Sequence, residues 1–170
     1  MDWKVWAIPA LAYLVGSFPT GVVLSRKKFG IDVRDMGSGN IGATNITRNF
    51  GWRAGVITFL IDFMKGYLGL KMAEAWYPEW PWVATCAGAA VVFGHCFSVF
   101  LRFRGGKGVA TTLGCFAAMV PLVATLMAVT YVILLAITRV SAVGSLVGIA
   151  LSCVAVLLLP TAAPVKMLVY

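Results

Sequence analysis

The sequence predicts an all-α integral membrane protein, a polytopic bundle of helices. Of its 170 residues, 61% are hydrophobic and only 12% are charged, whereas a soluble domain is about 45–50% apolar and about 25% charged. Long apolar runs alternate with short polar loops, and a helix needs about 20 apolar residues to cross a bilayer. The formal net charge of +8 is typical of basic cytoplasmic loops, so we expect no nucleic-acid partner.

Six apolar runs mark the predicted spans in chain order. We predict spans at Val5–Leu24, Ala54–Ala75, Trp82–Leu101, Val109–Val120, Leu122–Thr138 and Ala142–Leu159, with a seventh beginning in Val165–Tyr170. We expect the first run not to be a cleavable signal peptide, because its basic cluster Arg26-Lys27-Lys28 follows the apolar residues instead of preceding them. No internal repeat divides the chain, so we expect residues 1–170 to form a single membrane-embedded domain.

The stretch Val109–Thr138 can be interpreted in two ways. As one helix it would be about 45 Å long, against a hydrocarbon core of about 30 Å. Pro121 lies near its middle, and proline disfavours helix interiors. The alternative is one tilted, kinked span, but that arrangement moves Arg139 away from the other basic loops. We therefore predict two helices that meet at Pro121.

The distribution of charge predicts the orientation of the bundle. The Ser25–Arg53 loop carries six basic and two acidic residues, and the Arg102–Gly108 loop carries three basic residues. The positive-inside rule makes these loops cytoplasmic and places the N-terminus outside. Five tryptophans fall at the predicted outer interface, where amphipathic rings prefer to lie. They are Trp3, Trp6, Trp76, Trp80 and Trp82.

Two glycine-rich polar loops interrupt the apolar pattern, at Met36–Asn45 and Arg104–Gly108. Backbone N–H groups of such loops, beside Lys or Arg, are suited to binding phosphate. The first loop also matches Gly-x-Gly-x-x-Gly, but the nucleotide fingerprint requires a preceding strand, and here a membrane helix precedes it. Alone, this loop fits a tight glycine turn equally well. Beside a second Gly-Lys loop on the same face, phosphate binding is favoured, with Arg48 and Lys107 as the leading anion ligands.

Asp62, Lys65 and His95 are ionisable residues within the predicted spans. Asp62 and Lys65 are three residues apart and share a helix face. Ionisable groups inside a membrane are functional candidates, but a self-paired couple fits a structural role equally well. His95 is the only histidine, and packing is its commoner explanation. With one histidine and four cysteines without ligand spacing, we expect no metal site.

Five strings, in order over nearly the whole chain, carry a family resemblance. They are Gly16-Ser17-Phe18-Pro19-Thr20-Gly21, the run from Asp32 to Asn45, Asp62-Phe63-Met64-Lys65-Gly66, Gly94-His95, and the run from Arg104 to Thr111. In these strings the chain closely resembles the bacterial acyl-phosphate:glycerol-3-phosphate acyltransferases. That family carries a third cytoplasmic motif, rich in Arg, His and Asn, after its last helix. The present chain ends before that motif, and we therefore expect it to be C-terminally truncated.

The resemblance implies a multi-pass enzyme of the bacterial inner membrane with its active site on the cytoplasmic face. Such an enzyme transfers a fatty acyl group from acyl phosphate to the sn-1 hydroxyl of glycerol 3-phosphate, giving lysophosphatidate and phosphate in phospholipid biosynthesis. It uses no cofactor. The expected partners are glycerol 3-phosphate, a fatty acyl phosphate, membrane lipids and a peripheral enzyme that produces acyl phosphate.

The resemblance also implies the site residues. The expected catalytic group is Ser38, Arg48, Lys107 and Ser141. The expected substrate- and phosphate-binding residues are Gly37, Gly39, Asn40, Asn45, Gly105, Gly106 and Gly108. Asp32, Asp35 and His95 are the candidates for a general base. The alternative function is a small transporter for an anionic solute, because Asp62 and Lys65 would suit a polar site within the membrane.

Overall fold

The computed structural model describes residues 4–158, and it is all-α, as predicted. Two single 3-10 turns, at Val33–Asp35 and Val99–Leu101, lie in the connections between helices. The α-helices of this part of the chain are α1 (Lys4–Ser17), α2 (Thr20–Phe29), α3 (Ala43–Phe50), α4 (Trp52–Trp76), α5 (Pro81–Cys96), α6 (Val109–Met119), α7 (Pro121–Thr138) and α8 (Ser141–Leu158).

Within residues 4–158, four segments are long and apolar enough to cross a bilayer. They are Val5–Phe29, Pro81–Leu101, Pro121–Thr138 and Ser141–Leu158. Helix α4 has 25 residues but carries several charges, and α6 is apolar but has only 11 residues. A multi-pass helical protein is therefore confirmed, whereas the count of six spans stays a prediction. The predicted start of a seventh span, and Leu159 at the end of the sixth, lie outside the described residues.

The chain breaks at Pro121, as predicted. Helix α6 ends at Met119, Val120 has non-helical φ and ψ angles of −142° and 83°, and Pro121 is the first residue of α7. Proline suits the first position of a helix because the N–H group that it lacks would have no hydrogen-bond partner there. Residues 109–138 therefore form two helices and not one continuous helix.

The predicted first span, Val5–Leu24, is not one helix. Helix α1 ends at Ser17 and α2 begins at Thr20, because Pro19 cannot continue the hydrogen-bond ladder and also restricts the residue before it. The two carbonyl groups beside the break are both engaged. The Ser17 carbonyl accepts a hydrogen bond from Ser98 Oγ, and the Phe18 carbonyl accepts one from Lys65 Nζ, each at 2.5 Å. Irregular backbone at this depth is tolerated because it is buried within the protein.

Glycines allow the helices to pack closely. A Cβ on Gly16 of α1 would lie 2.0 Å from the Val91 carbonyl oxygen of α5, and one on Gly66 of α4 would lie 2.0 Å from the Thr111 carbonyl oxygen of α6. Small residues at such contacts let membrane helices gain van der Waals attraction. Helices α7 and α8 form a hairpin that packs on α6. This packing sets the polar segments α2–α3, α5–α6 and α7–α8 around one space.

Candidate active site

A cavity of about 540 Å³ lies where these three polar segments meet. The four residues of the expected catalytic group, Ser38, Arg48, Lys107 and Ser141, all line it. They come from the α2–α3 loop, from α3, from the α5–α6 loop and from the first residue of α8. The structure therefore brings together four residues that are far apart in sequence, while their individual roles stay predictions.

The first glycine loop is held in shape by one buried side chain, Asn45. Its amide nitrogen donates to the carbonyls of Met36 and Asn40 at 3.0 and 2.9 Å, and its Oδ1 accepts from the Ser38 N–H group at 3.1 Å. Although Asn45 contacts the cavity, its polar atoms are engaged within the loop. Its role in the structure is to organise the loop rather than to present a polar group to a ligand.

The same loop contains two residues that require glycine. Gly37 and Gly39 have positive φ angles of 56° and 69°, in the left-handed region that glycine adopts at little cost. Neither glycine lines the cavity, whereas Ser38 between them and Asn40 after them do. The two expected ligands Gly37 and Gly39 therefore shape the turn that presents Ser38.

The second glycine loop is fastened to the end of α5. The N–H groups of Gly105 and Gly106 donate to the carbonyls of Cys96 and His95, both at 2.9 Å. These two N–H groups are therefore engaged within the protein, and the expected binding role of Gly105 and Gly106 stays a prediction. Lys107 and Gly108 line the cavity, and within residues 4–158 their own N–H groups make no hydrogen bond. The loop thus offers Lys107 and the N–H groups that follow Gly106.

The charge around the cavity is predominantly positive. Arg48, Lys107 and Arg139 line it, together with the buried carboxylate of Asp62. Asp62 is neutralised by Lys65, whose Nζ lies 2.7 Å from Asp62 Oδ1. Since like-signed groups around a cleft focus its potential, this end of the cavity is suited to anions.

Part of the cavity wall is apolar. It is formed by Phe59 of α4, Leu113 of α6, and Met127 and Val132 of α7. Thr138, the last residue of α7, lies 11 residues beyond Met127, which is about 16 Å at about 1.5 Å per residue. The cavity therefore extends from the polar loops well into the helical part of the bundle, where a hydrocarbon chain can lie.

Of the three candidate bases, His95 alone lines the cavity. Its Nδ1 lies 3.8 Å from Asp62 Oδ1, which is too far for a hydrogen bond. Asp32 instead holds the loop before α3, where the Arg34 guanidinium keeps the pKa of that carboxyl well below its usual range. A carboxylate with so low a pKa is a poor proton acceptor near neutral pH.

Sequence reasoning did not name Thr44, Tyr131, Ser145 or Arg139 as site residues. All four line the cavity. Thr44 is adjacent to the expected ligand Asn45, but nothing in the local pattern distinguishes it from a residue of a helical turn. Tyr131 lies in the middle of an apolar run, where an aromatic residue is ordinarily part of the packing.

A helical membrane bundle whose cavity combines cationic side chains with an apolar wall is suited to a membrane enzyme of lipid chemistry. The comparisons with known proteins are consistent with this class. The chain belongs to the glycerol-3-phosphate acyltransferase family, whose sequence model matches residues 6–170. Membership of this family identifies the chain as an acyltransferase, and not as a small anion transporter.

Two relatives illustrate the extent of the similarity. The chain is 47% identical over 140 residues to glycerol-3-phosphate acyltransferase of Myxococcus xanthus, covering 82% of this chain and 73% of that protein. It is 43% identical over 143 residues to the enzyme of Geobacter sulfurreducens, covering 84% and 73%.

Two crystal structures have the same fold. Both are of PlsY, an integral membrane glycerol 3-phosphate acyltransferase. The glycerol 3-phosphate form has a TM-score of 0.89 and 35% identity, over 95% of this chain and 80% of that chain. The lysophosphatidic acid form has a TM-score of 0.85 and 33% identity over the same shares.

Proposed function

We propose that this protein transfers a fatty acyl group from an acyl phosphate to the sn-1 hydroxyl of glycerol 3-phosphate. The products are lysophosphatidate and inorganic phosphate, in the first acylation of phospholipid synthesis. The observation that carries the proposal is the cavity itself. It joins Arg48, Lys107 and Arg139 to an apolar wall between α4, α6 and α7, so that two phosphates and one acyl chain can meet there.

The two ends of the cavity suggest how the substrates divide it. The donor phosphate lies against Asn40 and the loop from Lys107 to Gly108, and its acyl chain lies along Phe59 and Met127. Glycerol 3-phosphate lies towards Arg48 and Ser141. Arg48 suits a two-pronged phosphate contact and Lys107 supplies a point charge, while Ser38 and Ser141 orient the substrates by hydrogen bonds.

The reaction requires no covalent enzyme intermediate. An acyl phosphate is a mixed anhydride and is already activated, so the protein needs only to align a hydroxyl and to neutralise charge. The glycerol oxygen attacks the acyl carbonyl carbon, the bond between that carbon and the bridging oxygen breaks, and inorganic phosphate leaves with the bridging oxygen. The hydroxyl proton passes to the donor phosphate, so the substrate acts as its own base.

This substrate assistance makes a definite prediction for the three candidate bases. Asp32→Asn, Asp35→Asn and His95→Gln should each keep substantial turnover, because none of these groups is required to accept the proton. The turnover of each purified variant is measured by steady-state phosphate release. A loss of several orders of magnitude in any one of them would refute substrate assistance.

We propose further that the site opens on the cytoplasmic face of the bacterial inner membrane, in a bundle of six spans with its N-terminus outside. Trp6, Trp80 and Trp82 support this orientation. They lie together, with ring centroids 5.6 and 6.0 Å apart, at the end of the bundle opposite the basic loops. Glycerol 3-phosphate is soluble in the cytoplasm, and the acyl phosphate would come from a peripheral enzyme at the membrane surface.

Donor identity is the point to test first. The purified protein should form lysophosphatidate from palmitoyl phosphate and glycerol 3-phosphate, with one phosphate released for each acyl group transferred. Palmitoyl-coenzyme A should not replace the donor. Analysis of the product by NMR should show the acyl group on the sn-1 oxygen, and use of the coenzyme A thioester would contradict the proposal.

A further inference from the structure

Three hydroxyl groups from three helices meet on the wall of the cavity. Tyr131 OH of α7 lies 3.0 Å from Ser141 Oγ of α8, and Thr44 Oγ1 of α3 lies 3.2 Å from Tyr131 OH and 3.3 Å from Ser141 Oγ. Each hydroxyl can donate one hydrogen bond and accept others, so the three can satisfy one another in a ring. All three residues line the cavity.

The packing of α7 against α8 holds the tyrosine in place. Gly144, one turn after Ser141, lies against Tyr131: a Cβ at this position would be 2.9 Å from the Tyr131 carbonyl oxygen and 3.1 Å from its ring. The missing side chain therefore lets α8 approach closely enough for the phenol group to reach Ser141. A longer or shorter spacing between the two helices would break this contact.

We propose that Tyr131 is a positioning residue that holds Ser141 in the orientation needed to bind glycerol 3-phosphate. This inference depends on the proposed function, in which Ser141 orients that substrate. Without Tyr131 OH, the serine hydroxyl is free to sample its three staggered rotamers, and it also loses one hydrogen bond. Together these effects predict a loss of about threefold to tenfold in kcat/KM for glycerol 3-phosphate.

Tyr131→Phe tests the inference, because it keeps the ring against Gly144 and removes only the hydroxyl. We expect its KM for glycerol 3-phosphate to rise while kcat and the KM for palmitoyl phosphate stay near those of the wild type. Loss of correctly folded protein would instead lower kcat alone. Tyr13→Phe is the matched control: it removes a phenol that donates to the Phe97 carbonyl at 2.8 Å, outside the cavity, and should behave as the wild type.

A double-mutant cycle on kcat/KM tests whether Tyr131 acts through Ser141. In a Ser141→Ala background, Tyr131→Phe should have no further effect on kcat/KM. A full additional loss in that background, or a Tyr131→Phe enzyme within twofold of the wild type, would overturn the inference.

The same cycle can be measured without turnover, by thermal unfolding of the four proteins in detergent. Non-additive shifts in Tm would support the Tyr131–Ser141 hydrogen bond, and additive shifts would contradict it. If the wild type forms no lysophosphatidate while the Tm shifts are non-additive, the proposed function fails but the contact stands. If the wild type is active and the Tm shifts are additive, only the inference about Tyr131 fails.

Discussion

Alanine at Gly105 would displace the second glycine loop from α5. A Cβ on Gly105 would lie 2.0 Å from the carbonyl oxygen of His95 and 2.7 Å from that of Cys96. Both are backbone atoms at the end of a packed helix, so they cannot move aside by a change of rotamer. The loop must move instead, and with it Lys107, which lies two residues further along.

The size of the displacement follows from the contact distances. Ordinary contact begins at 3.4 Å, and 3.4 − 2.0 = 1.4 Å, so the loop must shift by about that amount. A misplacement of about 1 Å at a reacting group can reduce the rate about 100-fold. We therefore expect Gly105→Ala to lower kcat/KM about 100-fold. The hydrogen bonds from Gly105 and Gly106 would also weaken, at about 1 kcal/mol each.

The assay is phosphate release from palmitoyl phosphate in the presence of glycerol 3-phosphate, with thermal unfolding in detergent to show that the variant is folded. Gly69→Ala is the matched control, because a Cβ on Gly69 would lie 3.7 Å from the Val91 side chain, which is ordinary contact. It should be fully active. A folded Gly105→Ala enzyme within threefold of the wild type would refute the reasoning that α5 holds this loop in its active position.

Two further predictions concern stability. Lys65→Met should destabilise the protein by about 3–5 kcal/mol, because it leaves the buried Asp62 without its ion pair. Lys71→Met removes a half-exposed ion pair and should change the stability by less than about 1 kcal/mol. Equal Tm shifts for the two variants would contradict this difference. Since Arg34 lowers the pKa of Asp32 in the folded state, the stability that Asp32 contributes should be present above about pH 4 and be lost as the pH falls further. Asp32→Asn should flatten that part of a Tm-against-pH curve, and an unchanged slope would contradict the assignment.

The sequence predicted the large features of this protein because their causes are local. Apolar run length identifies the helices, and Pro121 begins a new helix because it lacks a backbone N–H group and restricts the residue before it. Charge asymmetry placed the polar loops on one face, and the structure gathers Ser38, Lys107 and Ser141 around one cavity.

The features that the sequence did not predict depend on contacts between distant segments. Pro19 also lies within an apolar run, but length alone favoured a continuous span there. The helix can break because Lys65 and Ser98 satisfy the carbonyls beside it. Likewise, Asn45 resembles a ligand in sequence and organises a loop in the structure, and Tyr131 resembles a packing residue and reaches Ser141. Only three-dimensional neighbours distinguish these roles.

The most direct test of the account replaces Lys107 with Ala and measures lysophosphatidate formation from palmitoyl phosphate and glycerol 3-phosphate. Lys71→Ala is the control, since Lys71 pairs with Glu74 and does not line the cavity. The account predicts that the wild type and Lys71→Ala are active, and that Lys107→Ala loses nearly all activity while remaining folded. Turnover of Lys107→Ala close to that of the wild type would contradict the assignment of this cavity as the phosphate-binding active site.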